Sequence, residues 1–128
     1  MVNSVEDLEA QLIRLDRRFE RLDDATVLVQ LAPNQPPAAL RISGPVLVAS
    51  VEICSTPASD KQRAFYEKLL TLNGSDLLHA AYAISDGEVV LGAALELSSL
   101  DPNELEATLA DFDLALANHV GPLHQMIS

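Results

Sequence analysis

The side chains of this chain that could do chemistry are three histidines, one cysteine and a surplus of carboxylates, and their spacing argues against a site. His119 and His124 lie five apart across Gly121-Pro122, which misses the i, i+4 spacing that sets two ligands on one helical face. His79 stands apart from both. With a single cysteine, Cys54, and no His-Glu-x-x-His, zinc lacks its usual donors, and surface or locally bonded imidazoles are expected. Ser55, Ser98 and Ser99 have no Gly-x-Ser-x-Gly turn around them to make a nucleophile. Leu72-Asn-Gly-Ser reads as the end of a helix and not as a phosphate-cradling loop. Glu104, Glu106 and Asp111 fall on a helix pattern, where a solvated face accounts for them. The expectation is a non-enzymatic protein with no catalytic, cofactor-binding or metal residues. An active site assembled from distant residues is the alternative.

Charge narrows the partners. Nineteen Asp and Glu against eight Lys and Arg give 128 residues a formal charge of -11. That field repels nucleic-acid phosphates and anionic membrane surfaces, so neither is expected as a partner. Basic proteins and apolar segments of other proteins are compatible with it. Cys54 has no partner for an internal disulfide. Met1-Val-Asn-Ser-Val-Glu-Asp has neither the basic nor the apolar region of a secretion signal, and no apolar run approaches the roughly 18 residues of a membrane span. A cytoplasmic protein is the expectation.

The elements that would carry any site are legible as changes of period. Val5, Leu8, Leu12, Leu15, Phe19 and Leu22 recur at steps of three and four, predicting a first helix that Ser4 and Asp7 cap. Acids crowd its start, and Arg14, Arg17, Arg18 and Arg21 its second half, as a solvated face or as a docking site for an acidic partner. Strands are predicted over 26–31, 38–42 and 46–53, with loops at Pro33-Asn-Gln-Pro36-Pro37 and Ser43-Gly44-Pro45. Leu47, Ala49, Val51 and Ile53 form the apolar face of the third strand. Cys54 at its end reads as a small buried thiol. Ser59 with Gln62 opens a second helix through Phe65, Leu69 and Leu72, which Asn73-Gly74 should end in a left-handed cap. Asp86-Gly87 joins strands over 80–85 and 88–97 as a hairpin. Asp101-Pro102-Asn103-Glu104 starts a last helix through Leu105, Leu109, Phe112, Leu116 and Val120, with Gly121-Pro122 ending or bending it. The result is one α+β domain over 1–128, in the order α-β-β-β-α-β-β-α, with about five antiparallel strands and three helices.

Leu70-Thr-Leu-Asn73, then Tyr82-Ala-Ile-Ser-Asp-Gly-Glu-Val-Val-Leu91, then Ala94-Leu-Glu-Leu-Ser-Ser-Leu-Asp-Pro-Asn-Glu-Leu105 carry a family likeness. Asp-Gly followed by an apolar run, and an acid after leucine at a helix start (Leu100-Asp101), are the matching features. With the element order, the small size and the acidity, the chain resembles the class I type III secretion chaperones and the related YbjN-like proteins, the CesT-type fold. The resemblance implies a homodimer that holds a segment of a partner polypeptide by added-strand pairing and side-chain pockets. A YbjN-like regulatory or scaffold protein without client-holding activity is the alternative. Independently, Phe65, Tyr66, Leu69, Leu70 and Leu72 make the second helix more apolar than one face needs. Gly92 and Ala94 lie at the centre of the other face of the last strand, where another backbone could approach. The expected dimer or partner interface is therefore Phe65, Tyr66, Leu69, Leu72, Gly92 and Ala94.

Overall fold

In a computed structural model, residues 2–128 are described, and they form one sheet with helices against one of its faces. The elements are α1 (Val5–Arg14), β1 (Phe19–Arg21), β2 (Thr26–Val29), β3 (Ala38–Ser43), β4 (Val46–Ser55), α2 (Ser59–Ser75), β5 (Ala81–Ser85) and β6 (Glu88–Glu96). A 3-10 turn at Leu97–Ser99, α3 (Pro102–Asn118) and α4 (Val120–Ile127) complete the chain. The described residues thus give six strands and four helices where five and three are read from the sequence. All neighbours in the order β1-β2-β3-β4-β6-β5 are antiparallel. The α+β class holds.

The extra strand comes from an early stop in α1. Ser4 caps the helix by accepting from the Asp7 N–H, and the Asp7 carboxylate accepts in return from the Asn3 N–H. At the other end Asp16 takes a left-handed φ of 57°. The Asp16 N–H then reaches Ile13 O and the Arg17 N–H reaches Leu12 O, the paired bonds of a Schellman close. Phe19 and Leu22 continue the helical spacing on paper but leave the helix, and Phe19 packs against the core from β1. Aspartate tolerates the left-handed region better than most residues, which is the signal the apolar stripe masks.

Two further ends differ from the sequence reading. α2 does not stop at Asn73-Gly74, because the Asn73 amide is used elsewhere, as described below. Nor does Ser59 cap it: Ala58 is the N-cap, and the Gln62 amide donates back to Pro57 O. Residues 120–127 are helical as well. Pro122 has no N–H to give Asn118 O, so α3 ends there, and the chain restarts as α4 from His119. Leu123, in what reads as a tail, is fully buried.

The turns behave as their residues dictate. Asp86 and Gly87 both have positive φ, 51° and 77°, as a two-residue I′ hairpin requires. Gly44, at φ 59°, and Pro45 close the β3–β4 hairpin with glycine first. Asp101 caps α3 by accepting from the Glu104 N–H, with Pro102 at the first helical position.

Strand alternation then sorts the core. Val27, Leu40, Ala49 and Ala93 lie in one cross-strand row, and Val51, Leu91 and Tyr82 in another. Leu47, Ala49, Val51 and Leu91 are buried, as their alternation requires, with Leu8, Leu12, Leu105, Leu109 and Phe112 of α1 and α3 in the same core.

Candidate functional site

Among the described residues no three His, Cys, Asp or Glu side chains gather to hold a metal ion, and the sheet's edges and second face carry its open backbone and apolar surface. At the β1 edge, Arg18 O accepts from the Gln30 N–H and the Leu22 N–H donates to Thr26 O, both at 2.9 Å. Antiparallel pairing alternates, so Arg18, Glu20 and Leu22 direct their backbone groups inward to β2. The N–H and C=O of Phe19 and Arg21 therefore point outward, two ladder positions with no strand beside them among the described residues. Next to them a shallow groove of about 270 Å³ is lined by Arg18, Phe19, Glu20, Leu28, Gln30 and Pro37. The proline-rich connection thus supplies one wall of this groove.

The four arginines expected to share one helix face are dispersed by the early end of α1. Arg17 donates to both oxygens of Glu106, at 2.8 and 3.2 Å, and to Asp113 at 3.1 Å, fastening the segment before β1 to α3. These carboxylates, Glu106 foremost, hold the Arg17 pKa above its ordinary value. Arg21 pairs with Glu6 at 2.9 Å.

At the opposite edge, β5 meets side chains of the helices. The Tyr82 N–H donates to Asn73 Oδ1 at 2.7 Å, and Asn73 Nδ2 donates to Tyr82 O at 3.2 Å. Just before β5, three consecutive N–H groups, of Leu78, His79 and Ala80, donate to one oxygen of buried Asp111 at 3.0, 2.6 and 2.9 Å. Asp111 reads from sequence as part of a solvated helix face, but the structure buries it as the anchor of the α2–β5 connection. Asp111 precedes Phe112 inside the apolar stripe, which is the signal that could have found it.

His119 is the other polar group that sequence reading undervalues. It is buried, with Nδ1 2.8 Å from the Tyr82 hydroxyl and Nε2 2.9 Å from Asp76 Oδ2. With Nε2 protonated, the imidazole donates to the carboxylate and accepts from the phenol. Its bond to His119 holds Asp76 below the ordinary aspartate pKa, while burial pushes the Tyr82 hydroxyl well above its own. A phenol so hard to ionise is a poor nucleophile, and the chain Asp76–His119–Tyr82 instead ties the α2 end, the α3–α4 joint and β5 together. His124 is exposed, and its Nε2 lies 3.4 Å from Ile53 O. Burial, with Glu88 nearby, raises the Cys54 thiol, away from the reactive thiolate.

The six residues expected at an interface divide. Phe65, Leu69 and Leu72 are buried within the subunit, where α2 lies against α4 and β5. Part of the apolar surface of α2 is absorbed by α4, a helix that reads as a tail, while Leu70 stays exposed. Tyr66 is half-buried, edge-on to Phe65 with ring centroids 6.2 Å apart. Gly92 and Ala94 lie on the sheet face away from the core. There Leu28, Ala39, Ser50, Gly92 and Ala81 form one cross-strand row, and Val48 lies beside Ala94 in the next. The close approach that Gly92 permits is first that of its own neighbour: a Cβ there would come within 3.3 Å of Ala49 O. Leu28, Ala39, Val48, Ser50 and Gly92 are partly accessible, and Ala81 and Ala94 are exposed. This is a broad, shallow and small-featured apolar surface. No helix among the described residues is long and apolar enough to cross a membrane.

Comparison with known proteins places this architecture. No curated protein sequence matches the chain. Among solved structures it is similar to the ExoU–SpcU heterodimeric complex from the type III secretion system of Pseudomonas aeruginosa. The TM-score there is 0.71 at 22% identity, covering 91% of this chain and 96% of that one. It is also similar to YbjN of E. coli, described as a putative transcription regulator, with TM-score 0.63, 14% identity and coverage of 94% and 96%. The Yersinia pestis type III secretion chaperone SycH, solved with a stable fragment of YscM2, gives TM-score 0.60, 20% identity and coverage of 86% and 94%. At these identities the likeness establishes the fold. The CesT_Tir_1 family model matches residues 1–128, and the chain belongs to that family.

Proposed function

We propose that this protein is a non-enzymatic, cytoplasmic binding module that pairs with a second copy of itself and holds an extended segment of a partner protein. The observation that carries the reading is the β1 edge, where the Phe19 and Arg21 backbone groups stand open beside a groove bearing Leu28 and Pro37. Main-chain bonds there supply affinity for any extended chain, and the groove selects side chains at alternate positions. Family membership and two similar structures that contain protein complexes support the same reading. The segment held is apolar at alternate positions and basic elsewhere, because the subunit carries a charge of -11.

The open face of the sheet supports the self-association. Gly92, Ala94 and Val48 lie at its middle, while Glu52, Glu88 and Glu96 lie toward its ends. A two-fold arrangement would set the same small residues of both copies against one another and leave the acids at the rim. Tyr66, half-buried on α2, packs against the core on the helix side and lies apart from this face.

Peptide binding is the test of the holding function. A fluorescent, extended peptide alternating apolar and lysine residues is titrated into the wild type and into R21P. That substitution removes an outward N–H and leaves the inward ladder whole. Saturable binding that R21P weakens about tenfold supports the proposal, as the loss of one charge-free main-chain bond and its neighbours would. Binding that R21P leaves unchanged, or no binding at all, overturns it.

A further inference from the structure

The two edges of the sheet are treated unequally, and the difference is held by one side chain. At β5 the outward backbone groups are those of Tyr82 and Ile84: the two-residue turn makes Ser85 and Glu88 a hydrogen-bonded pair, alternation turns Ala83 and Ala81 inward as well, and Tyr82 turns its groups to α2. Both groups of Tyr82 are taken by the Asn73 amide, which donates and accepts in the way the backbone of a seventh strand would. The N–H just ahead, that of Ala80, is taken by Asp111. An incoming strand at this edge would find its first two positions occupied and would have to displace α2 to gain them. At β1 the Phe19 and Arg21 positions have no such cover.

We propose that Asn73 is a plug that closes the β5 edge, so that strand addition is confined to β1. The inference shares with the proposed function only the open β1 edge, and it stands whether or not a client peptide binds there. Its consequence concerns assembly. A molecule open at both edges presents two different surfaces that fit one another, β5 of one copy beside β1 of the next. Such head-to-tail pairing does not close and grows into open chains. One open edge per subunit permits a single added strand and no growth. An asparagine is suited to the task because its planar amide carries one donor and one acceptor at the spacing of a peptide group. Its placement explains why α2 runs through Asn73-Gly74 without the left-handed close that this pair suggests.

The test removes the plug and then the edge it exposes. N73L keeps helix-forming character and roughly the side-chain volume but can neither donate nor accept. The expected result is amide exchange at Tyr82 about tenfold faster than in the wild type and a light-scattering mass that climbs with concentration. The double variant N73L/R21P, which also lacks an outward N–H at β1, should return to the wild-type mass. That return separates edge pairing from aggregation of a damaged fold, which a substitution at the far edge would not cure. Should N73L fail to fold by circular dichroism, N73A carries the same expectation, because it too lacks both the acceptor for the Tyr82 N–H and the donor to Tyr82 O. Tyr82 exchange unchanged in the folded variant, or growth that persists in the double variant, overturns the proposal. A peptide that still binds N73L at β1 leaves the proposed function intact in either case.

Discussion

The two faces of the sheet are made by the same strands and share every ladder hydrogen bond, yet one is finished and the other is not. Toward the helices stand Val51, Leu91, Leu47 and Leu40, all but closed to solvent. One residue away in register, facing the other side, stand Val90, Gly92, Ala94, Val48 and Ala39, with part of their surface in water. The helix-side face is large-featured and interlocked with α1, α2 and α3, so its shape is specified by its own chain. The open face is small-featured, with Arg41 beside Val48 and Glu52 beside Val90 as the charges that flank its centre. The contrast locates stability on one side and the proposed association on the other.

Substitution in adjacent positions of β6 measures that contrast most sharply. L91A should cost about 2–5 kcal/mol of unfolding free energy, since it opens a cavity in a close-packed core. Its neighbour V90A should cost no more than about 1 kcal/mol, because the methyl groups removed are already partly in water. Denaturant midpoints of the two variants decide the matter, and comparable losses would mean that the open face is already packed in solution.

Next in size is D111A, which strands the N–H groups of Leu78, His79 and Ala80 and should cost about 2–4 kcal/mol. Its signature is local as well: exchange at those three amides should rise before the sheet opens. A loss below about 0.5 kcal/mol would mean that water replaces the carboxylate at no cost.

Y82F should cost about 1–2 kcal/mol, because His119 Nδ1 loses its partner in a buried site. The pH dependence has a definite sign on each side. Tyr82 has a folded pKa above its ordinary 10.0, so the stability it contributes is full below pH 10 and is lost as the pH rises beyond it. Asp76, held below 3.8, contributes stability that is present above pH 4 and lost as the pH falls through its folded value. Thermal melts of Y82F and D76N should both fall below the wild type near neutrality, with the Y82F gap narrowing above pH 10 and the D76N gap narrowing below pH 4. A gap that keeps its size across the pH limit of either variant would contradict the assignment.

The fold was legible wherever a single periodicity or a turn pair decided the outcome. The β3–β4 hairpin, the Asp86-Gly87 hairpin, the capped start of α3 and the buried alternation of Leu47, Ala49 and Val51 all follow from nearest neighbours. What was not legible depended on a competing use for a residue. Asp16 ends α1 although Phe19 and Leu22 keep its spacing, and that hides β1, the edge on which the proposed function rests. Asn73 looks like a helix cap until β5 is beside it. Gly121-Pro122 marks a break, but only packing of Leu123 against the core makes the remainder a helix. Of the residues expected at an interface, strand alternation sets Gly92 and Ala94 on the open face, whereas Phe65, Leu69 and Leu72 lie buried where α2 meets α4, a helix that reads as a tail.

Association of the open face has its own ionic signature. Two subunits of charge -11 repel, so raising salt should tighten the pairing, the reverse of an interface built on ion pairs. The most direct measurement is sedimentation equilibrium of the wild type and A94R over a range of concentrations. The wild type should reach twice the 13.8 kDa of one chain, and A94R, with a guanidinium in the middle of the small-residue surface, should stay at one. Wild-type protein that remains at the mass of a single chain throughout, or A94R that dimerises as well as the wild type, would contradict the account.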